Sequence, residues 1–226
     1  MDLKNNQIKN TIILNPQNLE ILLNKNSELN LYIFVDKTNE ETLNYNFNLM
    51  ENSKLNLNLI YFGSQKNTFN FKTNTNHIES NSTSKISVKS ILFDDSKINF
   101  TGLINIPKNL NEIDSHLDHH TLLLSDNAEA STTPSLKIES NNVKAGHSAT
   151  IGKIDEKLIY YIQTRGLTKK QAQEFLIHSF LFKNLNEISD LKIKTKFIKK
   201  IETTLSENMI NYCKNKTCCI TNIQSC

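Results

Sequence analysis

Residues 122–182 read LLLSDNAEASTTPSLKIESNNVKAGHSATIGKIDEKLIYYIQTRGLTKKQAQEFLIHSFLF, and their pattern changes character midway. Up to Ile138 the segment is made of short apolar runs cut by turn residues, which suits strands. From Asp155 it is helical: Leu158, Ile159, Tyr161 and Ile162 fall at spacings that build one apolar face. Between the two lies a small-residue corner, residues 146–152, holding a single histidine, His147. The chain before this stretch reads as sheet, and the chain after it as helix.

Upstream, apolar residues alternate with polar ones over long intervals. Leu43, Tyr45, Phe47 and Leu49 form one run, and Leu55, Leu57, Leu59 and Tyr61 another, with asparagine between; Phe69 and Phe71, Ile86 and Val88, and Ile98 and Phe100 continue the pattern. A period of two marks strands with one buried face. No helical interval interrupts these strands. That excludes a doubly wound α/β fold and leaves a sandwich, a barrel or a β-solenoid. Asparagine-rich turns and strands of similar length fit the solenoid, whose coils stack over a continuous interior. Residues 11–14 read as a first strand, and residues 19–23 as a helical turn or another strand.

Downstream, Asp155 is a plausible N-cap and Gly166 a plausible terminator of the first helix. Thr168 and Gln171 have capping-box spacing and open a second helix reaching about Phe182. A third helix spans roughly residues 187–212, weakened by Thr195, Thr203 and Thr204. The expected organisation is a flexible N-terminus (1–10), a β core (11–154), a helical domain (155–212) and a cysteine-containing tail (213–226).

The length of 226 residues is enough for a core that needs no staples. A net charge of +3 is modest, and Arg165 is the only arginine. Bidentate reading of phosphates and bases favours arginine, so nucleic acid is not an expected partner. No signal peptide or membrane span is legible, and the reading is a cytosolic protein. Asparagine is extremely frequent, which reads as codon bias of an AT-rich genome more than a physical demand. All cysteines lie beyond residue 212, so no disulfide framework holds the main body.

The motifs of the opening stretch resemble the core of the SufB/SufD family of iron–sulfur cluster assembly scaffolds. The matching residues are Leu122 to Ser125, then Thr132, Pro134, Leu136 and Ile138 at alternate positions, then His147 with Ala149 and Thr150. Asp155-Glu156, Tyr160-Tyr161 and Arg165-Gly166-Leu167 follow in the family's order, and His77 with Ser96 to Gly102 extends the match upstream. The resemblance covers roughly residues 77–182 and implies a right-handed parallel β-helix followed by a small helical domain. It also implies a non-catalytic scaffold that pairs with a SufB-type paralogue, or with itself, and binds the ABC-type ATPase SufC.

At the position of His147 the SufD branch carries a histidine that helps to hold a nascent cluster at the heterodimer interface. Neutral imidazole is a reasonable iron ligand. The next residue is glutamate in SufB-type proteins and often glycine in SufD-type ones; here it is Ser148. The SufB branch accepts sulfur on a cysteine near the segment leading to the proline, and this chain has no cysteine between Met1 and Tyr212. The resemblance is therefore SufD-like. It implies no tightly bound cofactor in isolation and a transient iron or iron–sulfur cluster in the complex. The helical region would dock SufC, with Arg165, Phe175, Leu176, Ser179 and Phe180 as the expected contacts.

Two other readings stay open. Alternation sends His116, Asp118 and His120 to one strand face, a possible metal triad with His147 as a fourth ligand, which would make the chain a metal-binding β-protein or metalloenzyme. A purely structural solenoid, its helices only capping the coil, is the other. Cys213, Cys218, Cys219 and Cys226 match no standard zinc or ferredoxin spacing. His77 and His178 read as structural.

Overall fold

A computed structural model describes residues 2–14, 16–36, 42–185, 188 and 190–215, without the side chains of 183, 184 and 209–215. Twelve strands come first: β1 (Asp2–Leu3), β2 (Ile8–Ile13), β3 (Leu19–Leu23), β4 (Glu28–Val35), β5 (Thr42–Leu49) and β6 (Lys54–Gly63), then β7 (Thr68–His77), β8 (Thr83–Leu92), β9 (Lys97–Ile106), β10 (Asn111–Leu123), β11 (Glu129–Ile138) and β12 (Asn142–Lys153). Three helices follow, α1 (Glu156–Gln163), α2 (Lys169–Leu185) and α3 (Leu191–Asn215).

Odd strands form one six-stranded sheet in the order β1-β3-β5-β7-β9-β11, and even strands form the other in the order β12-β10-β8-β6-β4-β2. Every neighbouring pair with a described register is parallel. Each strand therefore crosses to the opposite sheet, and the chain advances by one strand per sheet per coil. This is a β-solenoid followed by helices. The segment 19–23, which the sequence left open, is strand β3.

Parallel register puts like positions in rows. On the even sheet, Leu31, Leu57, Ile86 and Leu117 stand in one interior row. On the odd sheet, Leu43, Phe71, Phe100 and Thr132 form another. Phe69, Phe71 and Phe100 stack with centroids 5.7 Å apart. Gly102 faces inward where Leu117 enters from the opposite sheet, and a Cβ there would lie 2.3 Å from Leu117 Cδ1.

Asparagine has two structural uses that composition alone did not reveal. Asn6, Asn26 and Asn52 each take a positive φ of 57–58° at a coil turn. Asparagine tolerates that conformation better than most residues because its short polar side chain bonds locally. Their amides bond along the stack, Asn26 Nδ2 to Asn6 Oδ1 and Asn52 Nδ2 to Asn26 Oδ1, both at 3.0 Å. On the strands, Asn10, Asn30 and Asn56 form a second amide ladder, and Asn48, Asn76 and Asn105 a third.

The coil begins earlier than the expected boundary at residue 11. Residues 1–10, expected to be loose, contribute β1 and the start of β2, and Leu3 is fully buried. Parallel pairing of β1 with β3 brings Leu3 beside Leu23 and supplies the apolar cover that a free terminus lacks.

Asp155 caps α1 by accepting from the Lys157 amide at 2.9 Å, and Gly166 turns the chain at φ 93°. Thr168 and Gln171 form the reciprocal capping box of α2. The helices α2 and α3 lie on the outer face of the even sheet. There Tyr32, Phe34, Ile60, Phe62, Ile91 and Phe93 form a second core with Ile177, Leu181, Leu185, Phe197, Ile201 and Leu205. Phe197 packs edge-on against Phe34 at 6.2 Å, and Lys200 Nζ reaches Asp36 Oδ2 at 2.5 Å. The helices thus cover a flank of the coil and do not cap its end. The apolar face read into α1 also needs correcting. Among its residues only Ile159 is buried, whereas Leu158 and Tyr161 are exposed.

Candidate functional site

The solenoid ends at β11 and β12, which are the last strands of their sheets and have no backbone partner beyond them among the described residues. Residues of this coil that face the interior stay partly open: Leu136, Val143 and Ala145 pack on the core while half-buried, and Ile138 and Ile151 are 40% and 43% exposed. The opposite end differs. There Lys9 of β2 stands in the interior row of Leu29, and β1 is only two residues long. An inward-facing charge and a short strand are the usual means of discouraging edge pairing. At the β11–β12 end the one charged residue in the interior rows is Lys153, the last residue of β12, which stands in the row of Leu123 and is ion-paired to Asp126 at 2.6 Å.

His147 lies in this last coil. It is in register with Leu117 and so continues the interior row of Leu31, Leu57, Ile86 and Leu117. No further coil covers it, and the imidazole is exposed. An interior position has become a surface position because the coil stops there. Sequence motifs named the residue; only the register shows which way it faces.

His116, Asp118 and His120 do share the outer face of β10, as alternation predicts, but the metal triad does not form. Strands rise about 3.3 Å per residue, so the outer two stand roughly 13 Å apart, too far for one ion. His147 points to the opposite face of the sheet and cannot be the fourth ligand. Each side chain has a nearer partner. His116 Nε2 lies 3.1 Å from Asp114 Oδ1, Ser148 Oγ donates to Asp118 Oδ1 at 2.5 Å, and His120 Nδ1 shares a hydrogen bond with Thr150 Oγ1 at 2.6 Å. No three His, Cys, Asp or Glu residues among the described ones are placed to hold a metal ion.

The expected docking residues divide. Phe175 is exposed, and Ser179 follows it one turn later on the same face, its hydroxyl donating to the Phe175 carbonyl at 2.9 Å. Arg165 stacks on the Tyr161 ring, 5.1 Å from its centroid, and donates to Tyr161 OH. Leu176 is half-buried. Phe180 turns toward the sheet, where it joins the second core beneath Lys89, so it belongs to packing. Sequence reasoning missed Leu158, Tyr160 and Tyr161, exposed at 49%, 71% and 56%; with Phe175 they enlarge the apolar surface of α1 and α2.

His77 is buried between the hydroxyls of Ser82 and Ser84, at 2.7 and 3.1 Å, and His178 rests on Phe182. His119 was not singled out by sequence. It points into the coil, bonds Thr121 and Ser90 through Nε2, and stands edge-on to Phe100. Cys213 lies in α3 with its side chain outside the described set, and Cys218, Cys219 and Cys226 lie outside the described residues.

The chain matches the SUF system FeS cluster assembly SufBD core domain over residues 3–180. It is 32% identical to the iron–sulfur cluster assembly protein SufD of Escherichia coli (strain K12) over 113 residues, which are 50% of this chain and 27% of that protein. It is 28% identical to SufD of Bacillus subtilis (strain 168) over 143 residues, 63% of this chain and 33% of that protein. To SufB of the same Bacillus strain it is 25% identical over 105 residues, 46% of the chain and 23% of that protein. The matched segments thus span about a quarter to a third of these relatives.

Proposed function

This chain belongs to the SufB/SufD family and is SufD-like, and from that premise we propose that it is a scaffold subunit of an iron–sulfur cluster assembly complex. The observation that carries the reading is the placement of His147 in the last interior row of an uncovered coil end. A single imidazole does not hold iron or a cluster alone; the remaining ligands, thiolates above all, come from a second protein. A SufB-type paralogue docking on β11 and β12 supplies them. The interior rows at that end expose Ile138 and Ile151, and their one charge, Lys153, is ion-paired to Asp126, which supports an apolar contact there.

The second docking surface is the exposed face of α1 and α2, formed by Leu158, Tyr160, Tyr161, Arg165, Phe175 and Ser179. We assign it to a SufC-type ATPase, in which ATP hydrolysis resides. Aromatic residues and arginine dominate binding energy at protein interfaces, and this patch holds the chain's sole arginine stacked on tyrosine. The iron and sulfide are cargo, carried transiently. No helix among the described residues is long and apolar enough to cross a membrane, and the reading places the complex in the cytosol, where thiolates stay reduced.

Co-expression with SufB- and SufC-type proteins, followed by size-exclusion chromatography and iron and sulfide analysis, tests this. A ternary complex that gains iron and sulfide, and loses them with His147→Ala while staying assembled, is the expected result. A chain that elutes alone refutes the scaffold role and leaves the structural-solenoid reading.

A further inference from the structure

The outer face of β10 carries His116, Asp118 and His120, spaced too widely for a metal triad and already bonded to partners of their own. The groove beside it, about 590 Å³, is lined by Lys85, Lys89, His116, Asp118, His120 and Phe180. Lys89 donates to the Phe180 carbonyl. These groups call for no ligand. What they do together is grip one strand.

The three outward residues of β10 each meet the outward residue of β12 in register with them. His116 is paired with Gly146, Asp118 with Ser148 and His120 with Thr150. Gly146 lies beside the His116 ring, and a Cβ there would meet its Nδ1 in ordinary contact at 3.4 Å. The Asp118–Ser148 and His120–Thr150 bonds follow at 2.5 and 2.6 Å. The two hydrogen bonds fall one and three residues beyond His147, and the His116–Gly146 pair one residue before it.

A grip is needed at this strand more than elsewhere. Among the described residues the strand β12 pairs on one side only, and no strand lies beyond it to fix its register. Its small residues Ala145, Gly146, Ala149 and Gly152 specify little by packing. A slip of one residue sends every side chain to the other face. It would turn His147 outward, away from the coil end.

We propose that Asp118 and His120 are positioning residues that lock the register of β12 so that His147 faces the open end of the solenoid. The inference rests on the reading that His147 acts there. It assigns the histidine-rich segment a role other than metal binding, and it explains why Ser148 and Thr150 carry hydroxyls.

The test combines hydrogen exchange on the full chain with iron retention in the complex with SufB- and SufC-type partners. In the Asp118→Ala/His120→Ala double variant, amides of residues 143–152 should exchange about tenfold faster, as losing two hydrogen bonds implies. Those of β6 should not change. Iron retention should fall toward that of His147→Ala. Asp118→Asn and Thr150→Ser, each made singly in the wild-type chain, keep an acceptor and a hydroxyl and should leave both readings at their wild-type values. Should the double variant not fold, Ser148→Ala with Thr150→Val makes the same cut from the edge strand. Unchanged exchange in β12 overturns the grip. Faster exchange with full iron retention, while His147→Ala abolishes retention, overturns the positioning role. If His147→Ala itself retains iron, the scaffold assignment of that residue fails, and the exchange data still decide the grip.

Discussion

His77 and His119 point into the coil, and burial pushes both from 6.5 down to about 4, with His120 adding to the effect at His119. They are therefore neutral in the folded chain. An unfolded chain takes up their protons near pH 6.5, so their neutral burial is free of penalty above that pH and destabilises progressively as pH falls to about 4. Between pH 7.5 and pH 5 the loss is roughly 2 kcal/mol per histidine, from 1.36 kcal/mol per pKa unit. Urea midpoints at the two pH values check this. His119→Gln, which can still bond Thr121, should remove about half of the pH dependence; an undiminished dependence means these histidines are not its source.

The helices and the coil are held by separate cores, which makes the helical layer an independent element. Phe197 joins α3 to Tyr32 and Phe34, with ring centroids 6.1 and 6.2 Å away. Asp36 fixes the next turns of the helix by accepting from Lys200 and Thr204. Phe197→Ala removes the largest buried side chain among those described on α3, a change that costs about 3–5 kcal/mol in protein cores. The expected outcome is local. Limited proteolysis should cut within α3 at a protease level that spares the wild type, while the coil from β4 to β10 survives as a resistant fragment. Simultaneous loss of coil and helix would show that the two cores unfold as one.

At the scale of the whole molecule, the two ends of the solenoid differ in what they offer. Ile151 sits in the interior row of Thr121 at the β11–β12 end and is 43% exposed, whereas Ile8, on the outer face of the other end, is 68% exposed. Ile151→Lys places a charge where the partner is proposed to dock, and should abolish co-elution with a SufB-type protein. The monomer's stability should shift by no more than about 0.5 kcal/mol, as for other surface changes. Ile8→Lys should leave co-elution intact. The reverse pattern would move the docking surface to the first coil.

The sequence by itself determined the strands, the helix caps and the family. These rest on local signals: a period of two, a threonine three residues before a glutamine, and motifs in one order. It named His147 and placed His116, Asp118 and His120 on one face, because side chains alternate along any strand. It did not show that residues 2–10 enter the coil, since a two-residue strand with a single apolar side chain, Leu3, is held only by pairing with β3. Nor did it show the stacked use of asparagine, which depends on residues 20 to 29 positions apart. Only the tertiary structure decided which face of each sheet is interior, that α2 and α3 cover the flank of the coil and not its end, and that His147 therefore stands in an uncovered interior row. Alternation fixes faces relative to one another along a strand; which face meets the core is set by the neighbouring coils and by where they stop.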